Sequence, residues 1–162
     1  MTAPLCFTSW SFLGGAPLFQ SPGRGRVLMK LTRASSYALH AVVFMAAQKQ
    51  PNKPVASHNV AKARGIPERF LLKVLKPLVS ARVLHSIKGP NGGYRLARSP
   101  AEISMLDIIE AVDGPIRGQA PLSQSDRDGH LDRKLDAICN QSAETLRKHL
   151  QKVRLSELIG KG

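Results

Sequence analysis

Residues 87–98 read IKGPNGGYRLAR. Gly89, Pro90, Gly92 and Gly93 sit between basic, strand-like flanks, and that composition suits two chemistries. A glycine-rich loop beside positive charge can cradle the phosphates of a nucleotide. It can also be the tip of a hairpin pushed against a nucleic acid. A nucleotide loop ends in Gly-Lys-Ser/Thr and runs into a helix. This stretch has neither ending, and strand-like residues follow it. The residues therefore describe a wing. Gly92 and Gly93 would allow the turn and the close approach of backbone N–H groups to a phosphate. Lys88 and Arg95 flank the tip, and Tyr94 can pack or hydrogen-bond at its base.

A second set of cations lies upstream, in PERFLLKVLKPLVS (67–80). Phe70, Leu71, Val74, Leu75 and Leu78 recur at helical spacing and predict one buried stripe. Glu68, Arg69, Leu72, Lys73 and Lys76 point the other way. Arg69, near the helix start, can bond a guanine bidentately. Lys73 and Lys76 suit phosphates, which position a protein without reading sequence. Leu72 either meets a thymine methyl or belongs to the core.

Several elements must position these groups. Thr32 can cap a helix running to about Gln48, with Leu31, Ala34, Ala38, Ala41, Val42 and Met45 at helical spacing. A short helix follows from about Ser57 to Arg64, with Val60 and Ala61 inward, and Gly65 suits a sharp turn. Pro67 is expected at the first position of the next helix, and Pro77 should kink or shorten its last turn. RVLHSI (82–87) and GYRLAR (93–98) read as two strands. Ser104 and Asp107 form a capping pattern before Met105, Ile108, Ile109 and Val112. Residues 114–130 read as a mobile loop. A helix from about Asp132 to Val153 carries Cys139, Ala143, Leu146, Leu150 and Val153 at spacings of 4, 3, 4 and 3. That is the seam of a two-helix coiled coil, which favours a homodimer, although a lone helix would bury such a stripe on its own domain. The expected fold is mainly α with a small β-hairpin wing: a winged helix-turn-helix plus a long C-terminal dimerisation helix.

Charge agrees with a polyanion partner. The net +13 is unevenly spread: residues 29–100 carry thirteen Lys or Arg against the single acid Glu68, giving +12. Residues 101–162 carry nine basic and ten acidic side chains. Each Lys or Arg brought near a phosphate releases a condensed counterion. No run approaches the roughly 18 apolar residues of a membrane helix. Two cysteines, Cys6 and Cys139, make neither a disulfide framework nor a metal motif, which fits a reducing cytoplasm. No catalytic constellation is present, so an enzyme is not expected. The readings left are a DNA-binding regulator and, as the alternative, a winged-helix protein-interaction adaptor.

MKLTRASSYALHAVVFMA, GIPERFLLKVLKPLVSARVLHSIKGPNGGYRLAR and ISMLDIIEAVDGP together resemble the iron–sulfur cluster regulator and nitrite-sensitive repressor family, the Rrf-two family, over about 29–158. The resemblance implies a homodimeric bacterial transcription regulator, usually a repressor, on double-stranded DNA with a palindromic operator. By matching position it implies DNA-binding roles for Pro67, Glu68, Arg69 and Phe70, and for Lys88, Gly89, Asn91, Gly92, Gly93 and Tyr94 of the wing. Members with a cluster carry three cysteines between the fourth helix and the dimer helix. This chain has only Cys139 there, so no cofactor is expected. His40, His130 and Asp128 are the other residues that could be asked to ligate. Cys139 is then either a small apolar residue of the seam or a redox sensor, and control by a small ligand stays open.

The domain reading follows: an N-terminal extension (1–28), a DNA-binding domain (29–100), a helix and sensing loop (101–130), and a dimerisation helix with tail (131–162). Residues 1–28 hold Phe7, Trp10, Phe12 and Phe19, half the aromatics of the chain, with no regular period. Met29 is the expected natural start, with 1–28 an upstream translation artefact or a disordered tail. Mass spectrometry of native protein checks this, and a chain beginning at Met1 would refute it.

Overall fold

The computed structural model describes residues 31–48, 50, 53–119 and 129–159. The expected extension at 1–28, residues 120–128 of the expected loop (Asp128 among them) and the end of the tail at 160–162 lie outside the described residues. Three helices come first: α1 (Arg33–Ala46), α2 (Ser57–Arg64) and α3 (Glu68–Ser80). An antiparallel hairpin of β1 (Leu84–Ile87) and β2 (Gly93–Leu96) follows, in the register Leu84 to Leu96 and Ile87 to Gly93. Then come α4 (Met105–Asp113), the 23-residue α5 (His130–Lys152) and one last turn, α6 (Leu155–Leu158). This is a winged helix-turn-helix with a long C-terminal helix.

The caps are those the sequence encodes. Thr32 Oγ1 accepts from Ser35 N at 3.0 Å and opens α1. Gly65 closes α2 at φ 62°, a left-handed conformation that glycine adopts without Cβ strain. Ser104 and Asp107 form a complete capping box on α4. Asp113, at the other end of α4, accepts from Thr32 Oγ1 and, at 2.5 Å, from the fully buried Ser35 hydroxyl. One carboxylate therefore ties the end of α4 to the start of α1, where the helix dipole also favours a negative charge.

The main core joins Ala38, Ala41, Val42 and Met45 of α1 to Val60, Leu71, Val74, Leu75, Leu78, Val83, Leu84 and Ile108. Three local expectations need correction. Phe70 is not in the α3 stripe: it is 57 % exposed, on the flank of the helix. Pro67 is the residue before α3, and Pro77 does not shorten it, since the helix runs on to Ser80. Pro77 costs about 3 kcal/mol in a helix interior, whereas each fully buried leucine contributes about 1.5–3 kcal/mol. Leu71, Leu75 and Leu78, all fully buried, outweigh the proline. On α4 the sequence reading passed over Leu106, which is buried with Ile109.

The end of the chain is also more than a tail. Met105 N donates to Val153 O and Leu155 N to Ile103 O, both at 2.9 Å, and Leu155 lies fully buried in the main core. The expected seam of α5 divides accordingly. Leu150 and Leu146 pack inside the protomer, against Leu106 and Ile109 of α4, and Val153 is engaged by Met105. The large apolar residues that α5 exposes are Leu131, Leu135 and Ile138, on a neighbouring face.

The wing is anchored by a contact that periodicity does not reveal. Val55 N donates to Tyr94 O at 2.8 Å and Tyr94 N to Val55 O at 2.9 Å, so Val55 forms a third, one-residue rung beside the hairpin. A Cβ on Gly93 would lie 2.4 Å from Val55 O, and its φ of 153° strains any side chain. Gly93→Ala should therefore lose about 2 kcal/mol or more in urea unfolding. Gly89→Ala, where a Cβ meets nothing within 4 Å, should lose only conformational strain. Equal losses would show that Val55 does not set the requirement.

Candidate nucleic-acid interface

Burial of Leu71, Val74, Leu75 and Leu78 turns the opposite side of α3 outward, and with it Arg69, Leu72, Lys73 and Lys76, all exposed. Leu72, left open between core and surface by the sequence, is 41 % exposed. Phe70 stands beside this face with Lys73 Nζ 5.7 Å from its ring centroid. Glu68 accepts from the Ser57 hydroxyl at 3.0 Å, so the acid of the block couples the start of α3 to the start of α2. Its charge is turned to holding the two helices of the motif together.

The wing presents Lys88, Gly89, Pro90 and Asn91 to solvent. Gly92 allows the turn as expected: its N–H donates to Gly89 O at 2.9 Å, and a Cβ there would meet Ile87 O at 2.3 Å. Glycine is needed for the chain to pass itself, and this N–H is spent inside the turn rather than offered to a phosphate. Tyr94 packs half-buried against the core. Arg95 pairs with His85 across the hairpin, and its Nε is enclosed without a hydrogen-bond partner.

Ion pairs join Arg98 with Asp107, Arg147 with Glu110 and with Glu144, and Lys148 with Glu144. None uses a cation of α3 or of the wing. The carboxylate of Glu102 is taken up within its own turn. Hydrogen bonds from the Ser99 hydroxyl, at 2.7 Å, and from Ser99 N hold it below the usual carboxylate range. The outward cations are therefore free to meet phosphates, with arginine and leucine side chains of suitable type for base edges.

Cys139 is half-buried on α5. A Cβ on Gly118 would lie 2.1 Å from the Cys139 carbonyl, so the segment leaving α4 crosses α5 at this residue. That segment is also held by Ile116 N, which donates to Glu110 Oε1 at 3.0 Å, while Arg147 of α5 pairs with the same carboxylate.

Comparison with known proteins gives a consistent result. A model of the Rrf2 family, described as an iron-dependent transcriptional regulator, matches residues 31–161. The chain is 31% identical to the HTH-type transcriptional regulator IscR of Cereibacter sphaeroides over 136 residues, covering 81% of this chain and 87% of that one. It is 32% identical to an rrf2-like HTH-type regulator of Rhodobacter capsulatus, over 80% of this chain and 84% of the other. Its fold matches CymR, named the global cysteine regulator of B. subtilis, with a TM-score of 0.63 at 24% identity, over 82% of this chain and 97% of that one.

An iron–sulfur cluster asks for several protein ligands, ordinarily four. The chain has two cysteines, of which Cys6 lies outside the described residues. Among the described residues no three His, Cys, Asp or Glu side chains are grouped to hold a metal, His40 and His130 included. The donors described do not fit such a centre. Because the outward cations of α3 make no ion pair, Arg69→Ala and Lys76→Ala should each change the free energy of unfolding by less than about 0.5 kcal/mol. A larger loss in urea titration would mean that they hold the fold instead of facing a ligand.

Proposed function

This chain belongs to the Rrf2 family of transcriptional regulators, and from that premise we propose that it is a cytoplasmic, homodimeric repressor of a palindromic operator, working without an iron–sulfur cluster. It is a DNA-binding transcriptional regulator and not an enzyme. The observation that carries the finer reading is the unpaired row of cations on α3 beside the exposed wing tip. Arg69 reads a base edge, Lys73, Lys76 and Lys88 meet phosphates, and Pro67, Phe70, Asn91, Gly92, Gly93, Tyr94 and Arg95 shape the two surfaces. The adaptor alternative leaves the +12 block without a role.

Two copies pair through α5 in this reading. Leu146 and Leu150 serve the protomer, so the pairing face centres on Leu135 and Ile138, which are 40% and 60% exposed. A two-fold protein places two recognition helices on two half-sites, which is why the operator is a palindrome. Cys139 lies within one residue of that face, where oxidation of its thiol would alter how the helices meet.

Fluorescence anisotropy of the chain on DNA from upstream of its own gene, against scrambled DNA, tests the reading. Upstream DNA should bind about a thousandfold more tightly, with affinity falling steeply as salt rises. Arg69→Ala should weaken specific binding by about ten- to a hundredfold and non-specific binding far less. A uniform loss would reassign Arg69 to a phosphate. Mild oxidation should shift the affinity of the parent and leave Cys139→Ser unmoved. Indifference to oxidation would return Cys139 to packing.

A further inference from the structure

One flank of α3 holds an apolar feature that shares Lys73 with the outward face. A groove of about 450 Å³ opens between α1, α3 and α4. Tyr37, Val74, Pro77 and Val112 line it, and Phe70, the large ring expelled from the core, forms one lip. Two side chains of its lining are charged, Arg33 and Lys73, and both are cations. The neighbouring acid, Asp113, follows Val112 but has its carboxylate engaged by the Thr32 and Ser35 hydroxyls. Arg33 also stands in the first turn of α1, where the helix dipole adds to its charge.

We propose that this groove is an effector site for a small organic acid with an apolar, ring-sized body. The volume is that of a small-molecule site. A bare phosphate would gain nothing from walls of Tyr37, Val74, Pro77 and Val112, and a neutral hydrocarbon would leave Arg33 and Lys73 unused. A carboxylate between the two cations with its body on the apolar floor uses both. The consequence for DNA rests on the regulator reading above. Lys73 belongs to both surfaces, so an acid seated there removes a phosphate contact and holds Phe70 and Lys73 in one arrangement. By linkage, acid and operator then weaken each other's binding.

The experiment uses the full-length chain and 1-anilinonaphthalene-8-sulfonate, an anionic aromatic dye whose emission rises in an apolar site. The dye is displaced by 1-naphthoate, its neutral amide 1-naphthamide, or inorganic phosphate. Naphthoate should displace the dye at least about tenfold more effectively than the amide, the size of one charge-assisted hydrogen bond. Phosphate should not displace it. Arg33→Gln and Lys73→Gln, both at exposed positions, should each weaken naphthoate about tenfold, and Val112→Trp should block the groove from α4. Equal displacement by the amide, effective displacement by phosphate, or binding unmoved in all three variants would overturn the site. Saturating naphthoate should also lower operator affinity at least about fivefold. Naphthoate binding that leaves operator affinity unchanged would overturn the effector role. Loss of operator binding in every condition, with naphthoate still bound, would instead count against the repressor reading.

Discussion

The backbone contact between Gly93 and Val55 fixes the geometry on which the outward surface depends. A two-stranded hairpin is marginal by itself in water. Here the hairpin gains a third rung from Val55, and Val55 lies two residues before α2 begins. The wing is thereby tied to the start of the helix-turn-helix at one end and to α3 by a short turn at the other. That turn holds Arg82 in a left-handed conformation at φ 57°. Wing tip and recognition helix are thus set in relation by main-chain bonds. No side chain of the reading surface is needed to hold them there.

α1 provides the second constraint. It contacts α2, α3, α4, β2 and α6, and its inward residues Ala38, Ala41 and Val42 are small. Small residues let neighbouring helices approach closely, so large side chains on α3 fill the space between them. Phe70 falls outside that arrangement because its angular position on α3 is past the edge of the Leu71–Val74–Leu75–Leu78 stripe. Its exposure and the α1/α3/α4 groove therefore have one origin: α1 offers Arg33, Ala34 and Tyr37 opposite that flank, and the space stays open.

Much of this was legible in the sequence, for identifiable reasons. The caps at Thr32, Gly65 and Ser104, the stripe of α3 and the two strands depend on local chemistry, and local chemistry is written in consecutive residues. Phe70 was misplaced because a stripe drawn at i, i+1, i+4, i+5 and i+8 is wider than the face α1 and α4 can cover. Val55 was invisible because a one-residue rung has no period. The heptad of α5 left two readings open for a different reason. Periodicity marks which residues of a helix share a face, but it cannot say whether a partner subunit or α4 covers them. At Leu146 and Leu150 α4 does so. The outward direction of Arg69, Lys73 and Lys76 was readable because it is the complement of a buried stripe. Their freedom from ion pairs needed coordinates.

The junction of α4 and α5 links the segment leaving α4 to the helical core behind the outward face of α3. Glu110 accepts from Ile116 N and pairs with Arg147, so one carboxylate holds the segment leaving α4 and the body of α5 together. Gly118 then brings that segment against the backbone of Cys139. One turn further along α4, Asp113 grips the first turn of α1, the turn that carries Arg33. A shift of α5 on α4 would have two rigid routes to the DNA-binding core: through Leu106 and Ile109 into Ile108, or along α4 to α1. Both run through packed or hydrogen-bonded groups with few alternative arrangements, the condition for a small displacement to be transmitted rather than absorbed. α4 thus stands as the mechanical link between α5 and the helices α1 and α3.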